Sequence, residues 1–183
     1  RTQPEHRYYQ VAVKTAELLA KAGYGVITGG GPGIMEAGNK GAKLGKGPSV
    51  GLHIELGFEQ DWNEFVDADK LLIFKYFFVR KVMFIRYAQA FVFMPGGFGT
   101  MDEVFETLTL IQTKKIDRVP LIFVGVEYWT GMLEWIEKTM LTNEKYINKE
   151  DLKLFEITDD PKHVVKVINN FYKKKKLTPN MRL

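Results

Sequence analysis

The chain has 183 residues, 45% of them hydrophobic and 13% aromatic, enough to bury most of its apolar surface and few enough to form one domain. It contains no cysteine, which excludes disulfides, thiolate metal sites and a cysteine nucleophile. Its formal net charge of +4 is matched by Lys173, Lys174, Lys175 and Lys176 alone, so the body is balanced and the tail reads as a solvated helix terminus, not a nucleic-acid site.

In chain order, apolar residues at helical spacing (Tyr9, Ala12, Val13, Ala16, Leu19, Ala20) predict a helix from Glu5 to Ala22, stopped by Gly23. Gly25 to Thr28 reads as a buried strand, followed by the turn Gly29-Gly30-Gly31-Pro32-Gly33 and a helix from Ile34 to about Leu44. Val50 to Ile54 is the next strand, and Leu71 to Phe74 another that feeds a helix from about Phe77 to Tyr87. Ala90 to Met94 is continuously apolar, as a strand covered on both faces must be. Its turn, Pro95-Gly96-Gly97-Phe98-Gly99, opens a helix from about Thr100 to Thr113. A strand at Leu121 to Val124, a helix from about Trp129 to Met140, a strand at Phe155 to Ile157 and a helix from about Pro161 to Lys173 complete the chain. This alternation predicts a single doubly wound, Rossmann-like α/β domain: a mostly parallel sheet with helices on both faces, and ligands bound at the carboxyl ends of its strands.

Both glycine turns are expected at that edge. Neither is a dinucleotide fingerprint, since Glu36 and Asp102 stand where G-x-G-x-x-G requires its last glycine, and Gly41 to Lys46 is one residue short of a P-loop. What remains is a general capacity: glycine lets backbone amides close on an oxyanion, and a helix N-terminus adds partial positive charge, at residues 96 to 100 and at 29 to 34. Thr100 can cap the helix or bond a phosphate oxygen. Asp102 reads as a helix-dipole partner, whereas Glu103 and Glu106, three apart, share one helix face. A phosphate on the amides would leave Glu103 beside the sugar of a nucleotide. His6, His53 and His163 have no metal-ligand spacing, so no metal is expected. No apolar run approaches the roughly 20 residues of a membrane span, and the N-terminus has no signal pattern, so a soluble, cytoplasmic protein without a membrane partner is expected.

Arg80-Lys81, Pro95-Gly96-Gly97-Phe98-Gly99-Thr100-Met101-Asp102-Glu103 and Thr28-Gly29-Gly30-Gly31-Pro32-Gly33-Ile34-Met35-Glu36-Ala37 together resemble the Lonely Guy family of phosphoribohydrolases, many of whose members carry the label of possible lysine decarboxylases. The resemblance covers Arg1 to about Trp129, including Glu55 to Asn63. It implies that Gly96, Gly97, Gly99 and Thr100 hold a nucleoside 5′-monophosphate, with Gly30, Gly31, Gly33, Met35, Lys81 and Glu106 as further substrate-binding positions. Glu103 would act at the ribose and Arg80 would be the second catalytic residue. It also implies a homodimer and no cofactor. Two departures stand out: relatives place a strand before the position of Arg1, expected here to precede the sequence, and Gly57 stands where many have proline.

Breaking the bond between a base and ribose 5-phosphate develops positive charge on the sugar. At about 4 Å and an effective dielectric of about 20, a carboxylate stabilises such a charge by roughly 4 kcal/mol, on the order of a thousandfold in rate. Glu103 could also orient or deprotonate the attacking water. The expected function is therefore N-glycosidic hydrolysis of AMP or a cytokinin riboside monophosphate. The alternative is a non-catalytic nucleotide or cofactor carrier of the same fold. Pyridoxal chemistry finds no Schiff-base lysine motif here. The aromatic residues Phe74, Tyr76, Phe77, Phe78, Phe84 and Tyr87 are expected to serve core or dimer packing rather than base stacking.

Overall fold

Each strand of the protein pairs with the next one in parallel, as apolar strands separated by crossover helices must. The computed structural model describes residues 1–56, 62–173 and 180. Gly57, Glu59 and the lysines at 174 to 176 lie outside these residues. The chain forms two compact units, Arg1–Ala88 and Gln89–Leu183.

In the first unit, helix α1 (Arg7–Lys21) leads to strand β1 (Val26–Thr28), helix α2 (Ile34–Leu44), strands β2 (Ser49–Ile54) and β3 (Leu71–Phe74), and helix α3 (Phe77–Tyr87). The strands pair in the order β1-β2-β3, with Ile27 opposite Val50 and His53 opposite Ile73. Helix α1 starts two residues later than periodicity suggests because His6 caps it, its imidazole accepting from the Tyr8 amide at 3.2 Å. The buried stripe of α1 is mostly small, with Ala12, Ala16 and Ala20 beside Tyr9. A Cβ at Gly41 of α2 would stand 2.3 Å from the Val13 carbonyl oxygen and 2.6 Å from the Ala16 Cβ. The two helices therefore touch backbone to backbone, and α1 fixes where α2 begins.

In the second unit, β4 (Phe91–Phe93), α4 (Phe98–Gln112), β5 (Leu121–Val124), α5 (Val126–Trp135), β6 (Phe155–Thr158) and α6 (Pro161–Tyr172) follow in turn. The strands pair as β4-β5-β6, with Phe93 opposite Phe123 and Phe123 opposite Ile157. Every residue of β5 is buried, as the central strand of a covered sheet should be. Fully buried Trp129 packs its ring 4.8 Å from that of Phe123 and donates its indole N–H to the Val124 carbonyl at 3.1 Å.

Two helices begin earlier than expected, and both for turn geometry. Helix α4 starts at Phe98 because Gly97 serves as its N-cap. Helix α5 starts at Val126 because Gly125 turns the chain at a φ of 111° and Asp159 accepts from the Val126 amide at 2.9 Å. It then runs into a π-helical stretch, Ile136–Asn143. Among the described residues no helix is long and apolar enough to cross a membrane.

Candidate functional site

The first unit gathers five glycine-turn and helix residues at the carboxyl end of β1. Gly29, Gly30, Gly31 and Gly33 are buried, and Gly30 and Gly33 hold φ angles of 74° and 76°, where a side chain would be strained. Met35, in the first turn of α2, lies over the turn: its Sδ would be 2.6 Å from a Cβ at Gly29, and its Cε 2.7 Å from one at Gly31. Arg80 comes to the same place from α3. Its Nε donates to the Leu52 carbonyl of β2 at 2.7 Å, and its Nη2 would be 2.3 Å from a Cβ at Gly29. The guanidinium also lies over the Phe84 ring, 5.3 Å from its centroid. Lys81, the next helix position, is half-buried.

Several residues that hold this turn have no motif to announce them. Asn63 donates from its side-chain amide to the carbonyls of Gly30 at 2.9 Å and Gly31 at 3.0 Å and to Asn39 Oδ1 at 3.0 Å. Asn39, fully buried on α2, donates to Ser49 Oγ at 2.9 Å, and its Oδ1 accepts the Thr28 hydroxyl at 2.6 Å. Asp67 accepts from the Ser49 amide at 3.0 Å and is paired with Lys43. The Lys43 ammonium, helped by that amide, holds its carboxyl down at about 2. The one signal in the sequence was a polar residue, Asn39, on an otherwise apolar helix face. Glu36 is likewise engaged, accepting from the Tyr9 hydroxyl at 2.6 Å. Burial, with this bond second, pushes the Tyr9 phenol well above its ordinary pKa.

In the second unit the other turn leaves β4 and opens α4. Gly99 and Thr100 lie within the helix, and Asp102 is its fifth residue and exposed, so the dipole role expected of Asp102 is displaced beyond the first turn, where that effect fades. The Thr100 amide is spent on the Gly97 carbonyl at 3.0 Å. Phe98 and Gly99 occupy the opening positions whose N–H groups have no acceptor in an α-helix. The Thr100 hydroxyl stands over Gly96, 2.1 Å from where a Cβ would be, and the Tyr128 hydroxyl of α5 donates to the Gly96 carbonyl. Thirty-two residues separate that pair, which no local pattern foretold.

Gly97 and Gly99 are different in kind. Neither has a φ in the left-handed region, and a Cβ at either would meet nothing within 4 Å. Their lack of side chains is required by neither backbone conformation nor packing among the described residues, and it leaves open space over the start of α4. Glu103, on the same face as Gly99 and Thr100, is half-buried, as is Glu106, and one carboxylate oxygen of each, Oε2, is shielded from solvent. Donors, open space and an acid thus follow one another along a single helix, which can seat an anion at its start and act on what that anion carries.

If the space over Gly99 belongs to a ligand, Gly99→Ala will separate stability from binding. Alanine favours the helix by up to about 1 kcal/mol, so melting should hold or rise, while affinity for AMP should fall about tenfold as the methyl enters the seat. Thermal denaturation and a nucleotide titration read the two effects, and unchanged affinity would assign the space to no ligand.

Comparison with known proteins matches residues 35–168 to a family described as Possible lysine decarboxylase. A cytokinin riboside 5′-monophosphate phosphoribohydrolase of Mycobacterium marinum is 24% identical over 160 residues, 87% of this chain and 83% of that protein. An uncharacterised protein of Archaeoglobus fulgidus is 31% identical over 121 residues, 64% of this chain and 76% of its own. Among solved structures, the molybdenum cofactor binding protein of Rippkaea orientalis superposes with a TM-score of 0.66 at 18% identity, over 94% of this chain and 91% of that one. That likeness shows the fold.

Proposed function

Since the chain belongs to the Lonely Guy family, matched here under the description Possible lysine decarboxylase, we propose that it hydrolyses the N-glycosidic bond of nucleoside 5′-monophosphates of the AMP or cytokinin riboside type. The products are free base and ribose 5-phosphate. The observation that carries this reading is the run along α4: unfilled space at Gly97 and Gly99, followed one turn later by the half-buried Glu103.

In this reading the 5′-phosphate takes the amides of Phe98 and Gly99 and the hydroxyl of Thr100, where the helix N-terminus offsets its charge. The ribose then lies beside Glu103, at a distance from the phosphate that weakens the repulsion between the two anions. As the base departs, the carboxylate stabilises the positive charge gathering on the sugar and orients water for attack on the anomeric carbon. Arg80 is the second catalytic residue, supported by the Arg80-Lys81 signature and by the anchoring of its guanidinium. Gly30, Gly31, Gly33, Met35, Lys81 and Glu106 are substrate-binding positions on the strength of the resemblance.

A homodimer completes the proposal. Phe98 is 96% exposed, and with Phe105 and the half-buried Met101 it forms a stripe at helical spacing on α4. Of the aromatic cluster around α3, Tyr76, Phe77, Phe78 and Tyr87 are exposed, and Phe74 and Phe84 half-buried, so none of the six serves as core. Sedimentation is expected to give twice the 21.0 kDa of one chain, and a monomer at micromolar concentration would count against it.

The deciding experiment incubates the chain with AMP, other nucleoside monophosphates and an isopentenyladenosine monophosphate, and follows base release by chromatography. Release of base supports the hydrolase. Binding of nucleotide with no release would turn the reading to the carrier.

A further inference from the structure

Asn63 spends both side-chain N–H groups, and its own backbone N–H at 2.7 Å, on a set of acceptors that lie on one side of the first glycine turn. The direction of every bond in this frame is determined. Asn39 Oδ1 accepts from the Thr28 hydroxyl and from Asn63, so Asn39 must present its Nδ2 to Ser49 and to the Val50 carbonyl at 3.3 Å. The Thr28 hydroxyl, having donated, accepts the Gly30 amide at 2.9 Å. Asn63 is therefore bound to donate, and the Gly30 and Gly31 carbonyls are bound to face it.

This has a consequence on the far side of the turn. In a trans peptide the carbonyl of one residue and the N–H of the next point in opposite directions. With the Gly30 carbonyl held toward Asn63, the Gly31 N–H points away from it. A glycine turn has little intrinsic preference for this orientation over its flip, and the flip would replace a donor by a carbonyl oxygen. To an anion that is a change from attraction to repulsion.

We propose that Asn63 is a positioning residue, which holds the Gly30 and Gly31 carbonyls to its own side and so presents the Gly31 N–H to an oxyanion of the ligand. The proposal rests on the reading that the ligand is a nucleoside monophosphate, and inorganic phosphate shares the chemistry it requires. An aspartate at 63 would have the same size and the opposite effect: a carboxylate accepts where this turn and Asn39 need a donor.

The test uses the full chain, ¹⁵N-labelled, titrated with AMP and separately with inorganic phosphate while the Gly31 amide resonance is followed. In the wild-type protein that resonance is expected to shift with either anion. In Asn63→Asp the shift should be lost and the dissociation constant for AMP should rise about tenfold or more, as for loss of a hydrogen bond to a charged group. Where turnover is measurable, KM should rise more than kcat falls, a split that general loosening of the fold would not produce. Thr28→Val, which releases the Gly30 amide but leaves Asn63 intact, should weaken AMP binding in the same direction by less, and with the wild-type titration it decides the matter should Asn63→Asp fail to fold. A Gly31 resonance indifferent to both anions, or unchanged AMP affinity in a folded Asn63→Asp, overturns the proposal. Absence of base release leaves these binding results unaffected and rejects only the hydrolase.

Discussion

Glu103→Gln is expected to abolish base release from AMP while leaving nucleotide binding nearly intact. The substitution keeps the shape of the side chain and removes its charge, so the phosphate seat on Phe98, Gly99 and Thr100 should be unaltered. What disappears is the attraction between carboxylate and the positive sugar, roughly 4 kcal/mol at an effective dielectric of about 20, or on the order of a thousandfold in rate. Since that attraction is made as the base leaves and not before, the loss belongs in kcat. The half-burial of Glu103 favours a neutral replacement in the folded state, so melting should change by less than about 1 kcal/mol. Single-turnover base release beside equilibrium binding of AMP makes the measurement, and a variant that hydrolyses AMP at the native rate would remove Glu103 from the chemistry.

The second large effect is expected at a residue with no side chain. In Gly29→Ala the new methyl would stand 2.3 Å from Arg80 Nη2 and 2.6 Å from Met35 Sδ, closer than atoms can approach. Both neighbours are the far ends of flexible side chains, and Gly29 has no left-handed φ to defend. The fold should therefore persist, with melting close to wild type, while the guanidinium leaves its place beside the Leu52 carbonyl. If Arg80 acts in the reaction, displacement by an ångström or more should lower kcat/KM about a hundredfold. Arg80→Lys should fall at least as far, because an ammonium cannot keep the Nε bond to Leu52 while reaching over Gly29. Full activity in Gly29→Ala with the methyl in place would show that the position of Arg80 does not matter to catalysis.

The two predictions differ in how their residues become visible. Glu103 could be read directly, because a helix repeats every 3.6 residues and a carboxylate placed four residues after Gly99 must share its face. The strands, the helices and the two glycine turns were legible for the same reason: periodicity, capping and turn chemistry operate over a few residues. Where a helix starts is less local than it looks. Thr100 was taken as the first residue of α4, but Gly97 caps it, and that shift moves Asp102 out of the first turn and spends the Thr100 amide inside the helix.

What the sequence by itself determined is thus the α/β alternation with its parallel strands, the places where glycine opens a helix, and the carboxylates that ride on α4. Only the tertiary structure decided that Arg80, fifty-one residues from Gly29, rests over it, that Asn63 grips the carbonyls of Gly30 and Gly31, and that Tyr128 holds the Gly96 carbonyl. Local signals survive in a chain of any shape. Hydrogen bonds and close approaches between distant residues exist only once the strands have paired and the helices have packed, so their partners leave no spacing in the sequence by which to be found.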